Sequence, residues 1–94
     1  MKISTVVWLG DIAEKLLARH KVTQEEVREV LNGSPRFRYV EKGHRPGENV
    51  YAALGRTGPG RYLIVFFVYK GGRQALILSA RDMTRGERKR YEEK

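Results

Sequence analysis

The stretch RYLIVFFVYKGGRQALILSAR, Arg61 to Arg81, decides the fold. Its first part, Arg61–Tyr69, is almost entirely apolar. It reads as a central strand covered on both faces. Gly71-Gly72 suits a type I′ turn, in which both central residues take positive φ. Arg73–Arg81 then returns as the next strand of an antiparallel pair.

Working upstream, Asn49–Arg56 reads as a strand joined to the central one by Thr57-Gly58-Pro59-Gly60. Lys42–Glu48 is a polar loop. Arg36–Glu41 alternates with period two, placing Phe37 and Tyr39 on one face. Before Pro35 the period is helical. Ile12, Ala13, Leu16, Leu17 and His20 recur through Asp11–His20. Thr23 and Glu26 form a capping box for a second helix, with Val27, Val30 and Leu31 as its apolar stripe and Asn32-Gly33 at its end. Only Lys21 and Val22 separate the helices, which predicts a tight hairpin. Ile3–Trp8 is a short strand. Downstream, Thr84 and Glu87 form another capping box that opens a last helix. The order is β-α-α-β-β-β-β-α, an α+β single domain over residues 1–94. Four later strands make an antiparallel meander with the helices packed on one face, and the first strand is available to extend it.

The chain has 94 residues and no cysteine, which excludes disulfides, thiol catalysis and thiolate metal sites. No apolar run is long enough to span a bilayer, and Met1–Gly10 does not read as a signal peptide. These features fit a cytoplasmic protein with no membrane role. The net charge of +8 is unevenly placed. Residues 1–32 are neutral, whereas residues 33–73 hold eight basic and two acidic side chains. The bland alternative is a soluble domain that happens to be basic. The sharper reading is a polyanion partner facing the C-terminal two-thirds.

The segment LILSARDMTRGERKRY, Leu76 to Tyr91, carries the chemistry. Arg81 ends a strand, and Arg85, Arg88, Lys89 and Arg90 follow on the helix closed by Tyr91. Guanidinium groups bind phosphate oxygens bidentately and stay charged at physiological pH. A ribonuclease without metal needs a base for the 2′-hydroxyl, cations for the phosphorane-like transition state and an acid for the leaving 5′-oxygen. Arg81, Arg85 and Arg88 supply cations, and Tyr91 can supply the acid. His20 ends the first helix, where the imidazolium is favoured. The alternative for each arginine is pairing on a solvated helix, and for His20 a structural bond to terminal carbonyls. Glu87 is a capping residue first. His44 beside Arg45 reads as solvated.

Arg56, Arg61 and Arg73 sit near turns, and Arg36 and Arg38 share a strand face. Arg56, Arg61, Arg73 and Lys89 are the candidates for RNA binding, since basic residues interleaved with Tyr51, Tyr62 and Tyr69 suit single-stranded RNA. Tyrosines in such strands are more often cross-strand pairs. Trp8 reads as core. No histidine or carboxylate spacing suggests a metal site, and no cofactor motif is present.

On these residues the chain resembles the BrnT family of type II toxins. The similarity covers most of the chain and is best in ILSARDMTRGERKRYEE and in RHKVTQEEVREVL, Arg19 to Leu31. The resemblance implies a RelE-like ribonuclease fold and metal-independent RNA cleavage. It also implies a small antitoxin partner, encoded beside the toxin, with which it assembles. By position it carries over to Trp8, His20, Arg81, Arg85, Glu87, Arg88 and Tyr91. Where the family commonly has aspartate, lysine and asparagine, this chain has Leu9, Ile12 and Leu16, with Asp11 and Lys15 at neighbouring positions. A non-enzymatic RNA-binding or partner-binding domain on the same scaffold is the alternative. The Gly33–Glu48 strand and loop is expected to be a sheet edge open to the partner.

Overall fold

A computed structural model describes residues 1–93. The elements are β1 (Thr5–Val7), α1 (Ile12–His20), α2 (Gln24–Asn32), β2 (Arg36–Glu41), β3 (Val50–Arg56), β4 (Tyr62–Lys70), β5 (Gln74–Asp82) and α3 (Arg85–Glu92). Both capping boxes form. Thr23 Oγ1 accepts from the Glu26 amide at 3.1 Å, and Glu26 accepts from the Thr23 amide at 3.0 Å. Thr84 and Glu87 exchange the same pair at 3.1 and 2.8 Å. Lys21 ends α1 in the left-handed region with φ 56°; its N–H donates to the Leu17 carbonyl at 3.1 Å and that of Val22 to the Leu16 carbonyl at 3.3 Å. That reversal drops Val22 fully into the core between the helices.

The sheet has five strands in the order β1-β5-β4-β3-β2. β2 to β5 form the expected antiparallel meander. β1 lies parallel to β5, so the sheet is mixed rather than purely antiparallel. The physical reason lies in the connection: the helical hairpin after β1 carries the chain across one face to the far edge before the meander begins. Parallel pairing needs a crossover of that kind. β1 is also shorter than Ile3–Trp8, because pairing stops at Val7 opposite Leu76.

β4 is central, and its alternation divides the core. Leu63, Val65 and Phe67 face α1 and α2 with Leu16, Val22, Val27, Val30 and Leu31. Ile64 faces the other way with Ala52 and Leu54, and Phe66, Met83 and Tyr91 pack against that smaller cluster. The last helix therefore lies on the opposite face from the hairpin, which corrects the expectation that all helices share one face. The hairpin already fills its own side. Met83 donates its N–H to the Tyr62 carbonyl at 3.1 Å, holding the chain against β4 as α3 begins. Tyr91 then covers apolar surface that the hairpin leaves bare.

Two turns differ from the reading by type. Positive φ falls on Gly72 (78°) and Arg73 (60°), not on Gly71, and Lys70 pairs with Gln74. The loop therefore has three residues, and Arg73 belongs to it rather than to β5. Its carbonyl accepts from Ser4 N at 2.8 Å and Thr5 N at 3.3 Å, so the start of β1 pins the turn. Arg61 likewise lies in the β3–β4 loop, its carbonyl accepting from Thr57 N at 2.9 Å. In β5, Leu78 is an extra residue, since Phe66 pairs with Ser79 and Phe67 with Ile77. This bulge changes which side chains of the β5 end point to each face.

Candidate functional site

Cross-strand partners share a face of the sheet. Arg36 pairs with Leu54, Arg38 with Ala52, Arg56 with Tyr62 and Ile64 with Arg81. Ala52, Leu54 and Ile64 belong to the α3-side cluster. Period two therefore sends Arg36, Arg38, Arg56, Tyr62 and Arg81 to one face, where α3 adds Arg85, Arg88, Lys89 and Arg90.

Arg81 sits at the base of this face. Its two terminal nitrogens donate to the two Glu87 oxygens at 2.8 and 3.0 Å, and Nη1 also donates to the Asp82 carbonyl at 3.1 Å. The guanidinium carbon lies 5.5 Å from the Phe66 ring centre. Glu87 thus does two jobs, capping α3 and fixing Arg81. The Arg81 hydrogen bonds pull the Glu87 carboxyl down to about 2 against opposing burial, helped by the Thr84 amide and the Arg81 charge. A depressed carboxylate stabilises the fold fully above its ordinary value, near 4.5, and loses that contribution as pH falls toward about 2. The contribution is at most roughly 3 kcal/mol, reduced by solvent around the partly exposed Arg81. Urea unfolding at pH 6, 4 and 3 should show a steep acid-side loss, and Glu87→Gln should flatten it. An unchanged slope in that variant would assign the acid sensitivity to other carboxylates.

Further along α3, arginine and tyrosine side chains interleave. The Arg88 guanidinium carbon lies 3.9 Å from the Tyr62 ring centre and that of Arg56 lies 4.7 Å from it. Tyr62 and Tyr91 meet edge to face at 6.0 Å, and Arg36 lies 5.8 Å from the Tyr91 ring centre. Cations over aromatic faces are held without losing their charge. Glu92 accepts from the Tyr62 hydroxyl at 3.0 Å and pairs with Arg88 at 3.7 Å. The structure engages Tyr91 through its ring, one turn beyond Glu87.

The other side of the β5 end is built differently. Arg61 Nε and Nη2 donate to Asp82 at 2.8 and 3.2 Å. Nη1 donates to the Lys21 carbonyl at 2.6 Å and to Glu26 at 3.1 Å, and Nη2 to the His20 carbonyl at 2.9 Å. Arg61 therefore joins the end of α1, the capping box of α2 and the end of β5. Hydrogen bonds from Arg61 pull the Asp82 carboxyl down, with the Arg61 and His20 charges adding to them against burial. Burial pushes Glu26 up, but the Thr23 amide and Arg61 outweigh it and the net shift is downward.

His20 joins Ile12, Lys15, Leu16, Arg19, Leu78 and Ser79 around a cleft of about 210 Å³. β1 stops opposite Leu76, so β1 does not border the end of β5 here. The sequence-selected residues thus fall into three places. Arg81, Arg85, Arg88, Lys89, Tyr91 and Arg56 share the α3 face. His20 and Arg61 flank the β5 end from the hairpin face. Arg73 lies roughly 25 Å away along β5, at the opposite end of the sheet.

Sequence reasoning named Lys15 only as a polar neighbour of an expected position and Glu26 only as a cap; it passed over Arg19 and Ser79 in the cleft and the pairing of Asp82 and Glu26 with Arg61. Lys15 and Arg19, four apart and beside His20, carried a usable signal. The polar positions the resemblance expects on α1 are occupied otherwise: Leu16 is buried, Ile12 packs against the core and Leu9 is exposed. Among the described residues no three His, Asp or Glu side chains gather as a metal-binding group. No helix among the described residues is long and apolar enough to cross a membrane.

The α3 face of the sheet is crowded with arginines and ends in an arginine-rich helix, which concentrates positive charge on one side of the domain. The family model described as "Ribonuclease toxin, BrnT, of type II toxin-antitoxin system" matches residues 8–87, and the chain belongs to that family. No curated protein matches it. Membership brings an RNA substrate and an antitoxin partner. The match takes in Trp8, His20, Arg81, Arg85 and Glu87, while Arg88, Lys89 and Tyr91 lie beyond its end.

Proposed function

We propose that this protein cleaves RNA without a metal, at the C-terminal end of β5, on a scaffold we read as RelE-like. The carrying observation is that Arg81, fixed by Glu87, and Arg88, stacked on Tyr62, lie on one sheet face beside a β5 end that β1 leaves unpaired. The RNA passes round the edge of β5 that β1 leaves unpaired, because His20 lies on the hairpin side of that edge and the arginines on the α3 side. The 2′-oxygen attacks the neighbouring phosphorus while His20 takes its proton. The bond from phosphorus to the 5′-oxygen breaks, and that oxygen receives the proton back from the imidazolium. Arg81, Arg85 and Arg88 stabilise the charge that develops on the phosphoryl oxygens. The products are a 2′,3′-cyclic phosphate and a 5′-hydroxyl. Purified protein incubated with total RNA should give these ends with or without chelator. Cleavage abolished by chelator, or 5′-phosphate ends, overturns the mechanism.

A second reading has its own support. The Arg81 fork is occupied by Glu87, and α1 carries buried Leu16 and core-packed Ile12 where the family resemblance expects polar groups. These features favour a non-enzymatic RNA-binding domain, which would bind the same RNA and leave it intact. In either reading the protein acts in the cytoplasm. Its antitoxin competes for the arginine face with an acidic or amphipathic segment.

A further inference from the structure

A recess of about 200 Å³ lies between β2 and the last turn of α3, away from the β5 end. Arg36, Phe37, Arg38, Leu54, Arg90 and Tyr91 line it. Leu54 and the Tyr91 ring give it an apolar floor and wall. Arg36, Arg38 and Arg90 are exposed cations around it. β2 is an edge strand, so the recess opens at the side of the sheet, where a chain can enter and leave. Glu92, the acidic group near it on the helix, is held by Tyr62 and Arg88.

We infer that this recess is a subsite for one nucleotide of single-stranded RNA, flanking the cleavage position. It rests on the ribonuclease reading for the identity of the polyanion. The base lies against the Tyr91 ring and Leu54, and the adjoining phosphate is held by Arg36 and Arg38. A planar base has a π-face whatever its identity, so stacking here is tolerant of sequence. The small volume suits an unpaired base and not a duplex, whose bases are already stacked on each other. The row Arg36, Tyr91, Tyr62, Arg88 and Arg56 then links the recess to the catalytic end, alternating charge for phosphates with rings for bases.

The test uses a 2′-O-methyl oligouridylate, which has no free 2′-hydroxyl to attack, carrying 2-aminopurine at each position in turn. Full-length protein should bind it and quench one position by stacking. Tyr91→Leu keeps an apolar side chain against Leu54 and Ile64. It should lose the quench and roughly 5- to 100-fold in affinity, with the salt dependence unchanged. Arg36→Glu and Arg38→Glu, both at exposed positions, should weaken binding and flatten the dependence of log K on log salt by about one phosphate contact. Arg28→Glu on α2, across the sheet, should match wild type. An undiminished quench in Tyr91→Leu, or an equal loss in Arg28→Glu, overturns the subsite. Unmethylated RNA separates the two readings. Quenching that depends on Tyr91, with no cleavage of RNA, keeps the subsite and removes the ribonuclease assignment. Cleavage with no such quenching does the reverse.

Discussion

Arg81→Ala should lower RNA cleavage by roughly 100- to 1,000-fold, the loss seen when one preorganised donor is removed from a developing oxyanion. Arg81 is the arginine for which this is expected because it is fixed before substrate arrives. Glu87 holds both ends of its fork, and the Phe66 ring backs its face. A side chain already placed loses little entropy on binding phosphate, whereas exposed Arg85 must first be ordered. The fork faces Glu87 in the free protein. A phosphate must therefore share the guanidinium or approach its remaining donors, and Arg81→Lys is the informative companion. Lysine keeps the charge but cannot grip Glu87 and a phosphoryl oxygen together. It should recover little of the activity. Removing Arg81 also strands the Glu87 carboxylate, so rates should be compared at a temperature where melting curves show each variant folded. Full cleavage by folded Arg81→Ala would place the chemistry elsewhere, with the His20 cleft as the next site to examine.

The features legible in the sequence are the local ones. Thr23 with Glu26, and Thr84 with Glu87, read as capping boxes because each box closes within one turn of chain. The apolar run of β4 announced a strand covered on both faces. What escaped were choices made between distant segments. Nothing within Thr5–Val7 says that its partner is Gln74–Leu76, or that the pairing is parallel. The side taken by α3 depends on Tyr91 finding Ala52, Leu54 and Ile64 uncovered, which no local pattern encodes.

The site shows the same division. Arg56, Arg61, Arg73 and Arg81 all sit near strand ends and look alike by composition. Their parity along the strands separates them: Arg56 goes with Tyr62 and Ile64, whereas Arg61 goes with Leu63 and Val65 toward the helices. That signal was present in the alternation of β4, but it needed the hairpin to be placed on one face. The Leu78 bulge hid the corresponding parity for Arg81, because an extra residue shifts the alternation between Ile77 and Ser79.

Arg61→Ala should destabilise the fold by about 2–4 kcal/mol, below the loss expected for a fully buried pair because about a quarter of the side chain is exposed. The reason is the number of groups that lose a partner at once. Asp82 and Glu26 each lose their cation, and the terminal carbonyls of α1 at His20 and Lys21 lose a donor. The melting temperature should fall by roughly 10–25 °C for a domain of this size. Both carboxyls are held low, so their share is present above the ordinary carboxylate range and lost as pH falls below it. The variant should therefore show a shallower acid-side loss than wild type. Arg61→Lys should recover only part, since one ammonium cannot reach Asp82, Glu26 and two carbonyls together. The same variants decide whether Arg61 binds RNA. Below the variant's melting point, a structural Arg61 leaves the salt dependence of RNA affinity as it was. A phosphate-binding Arg61 flattens it by about one contact. Unchanged melting with a flattened salt slope would mean that these contacts do not hold the helices to the sheet, and that Arg61 belongs with the arginines of the α3 face after all.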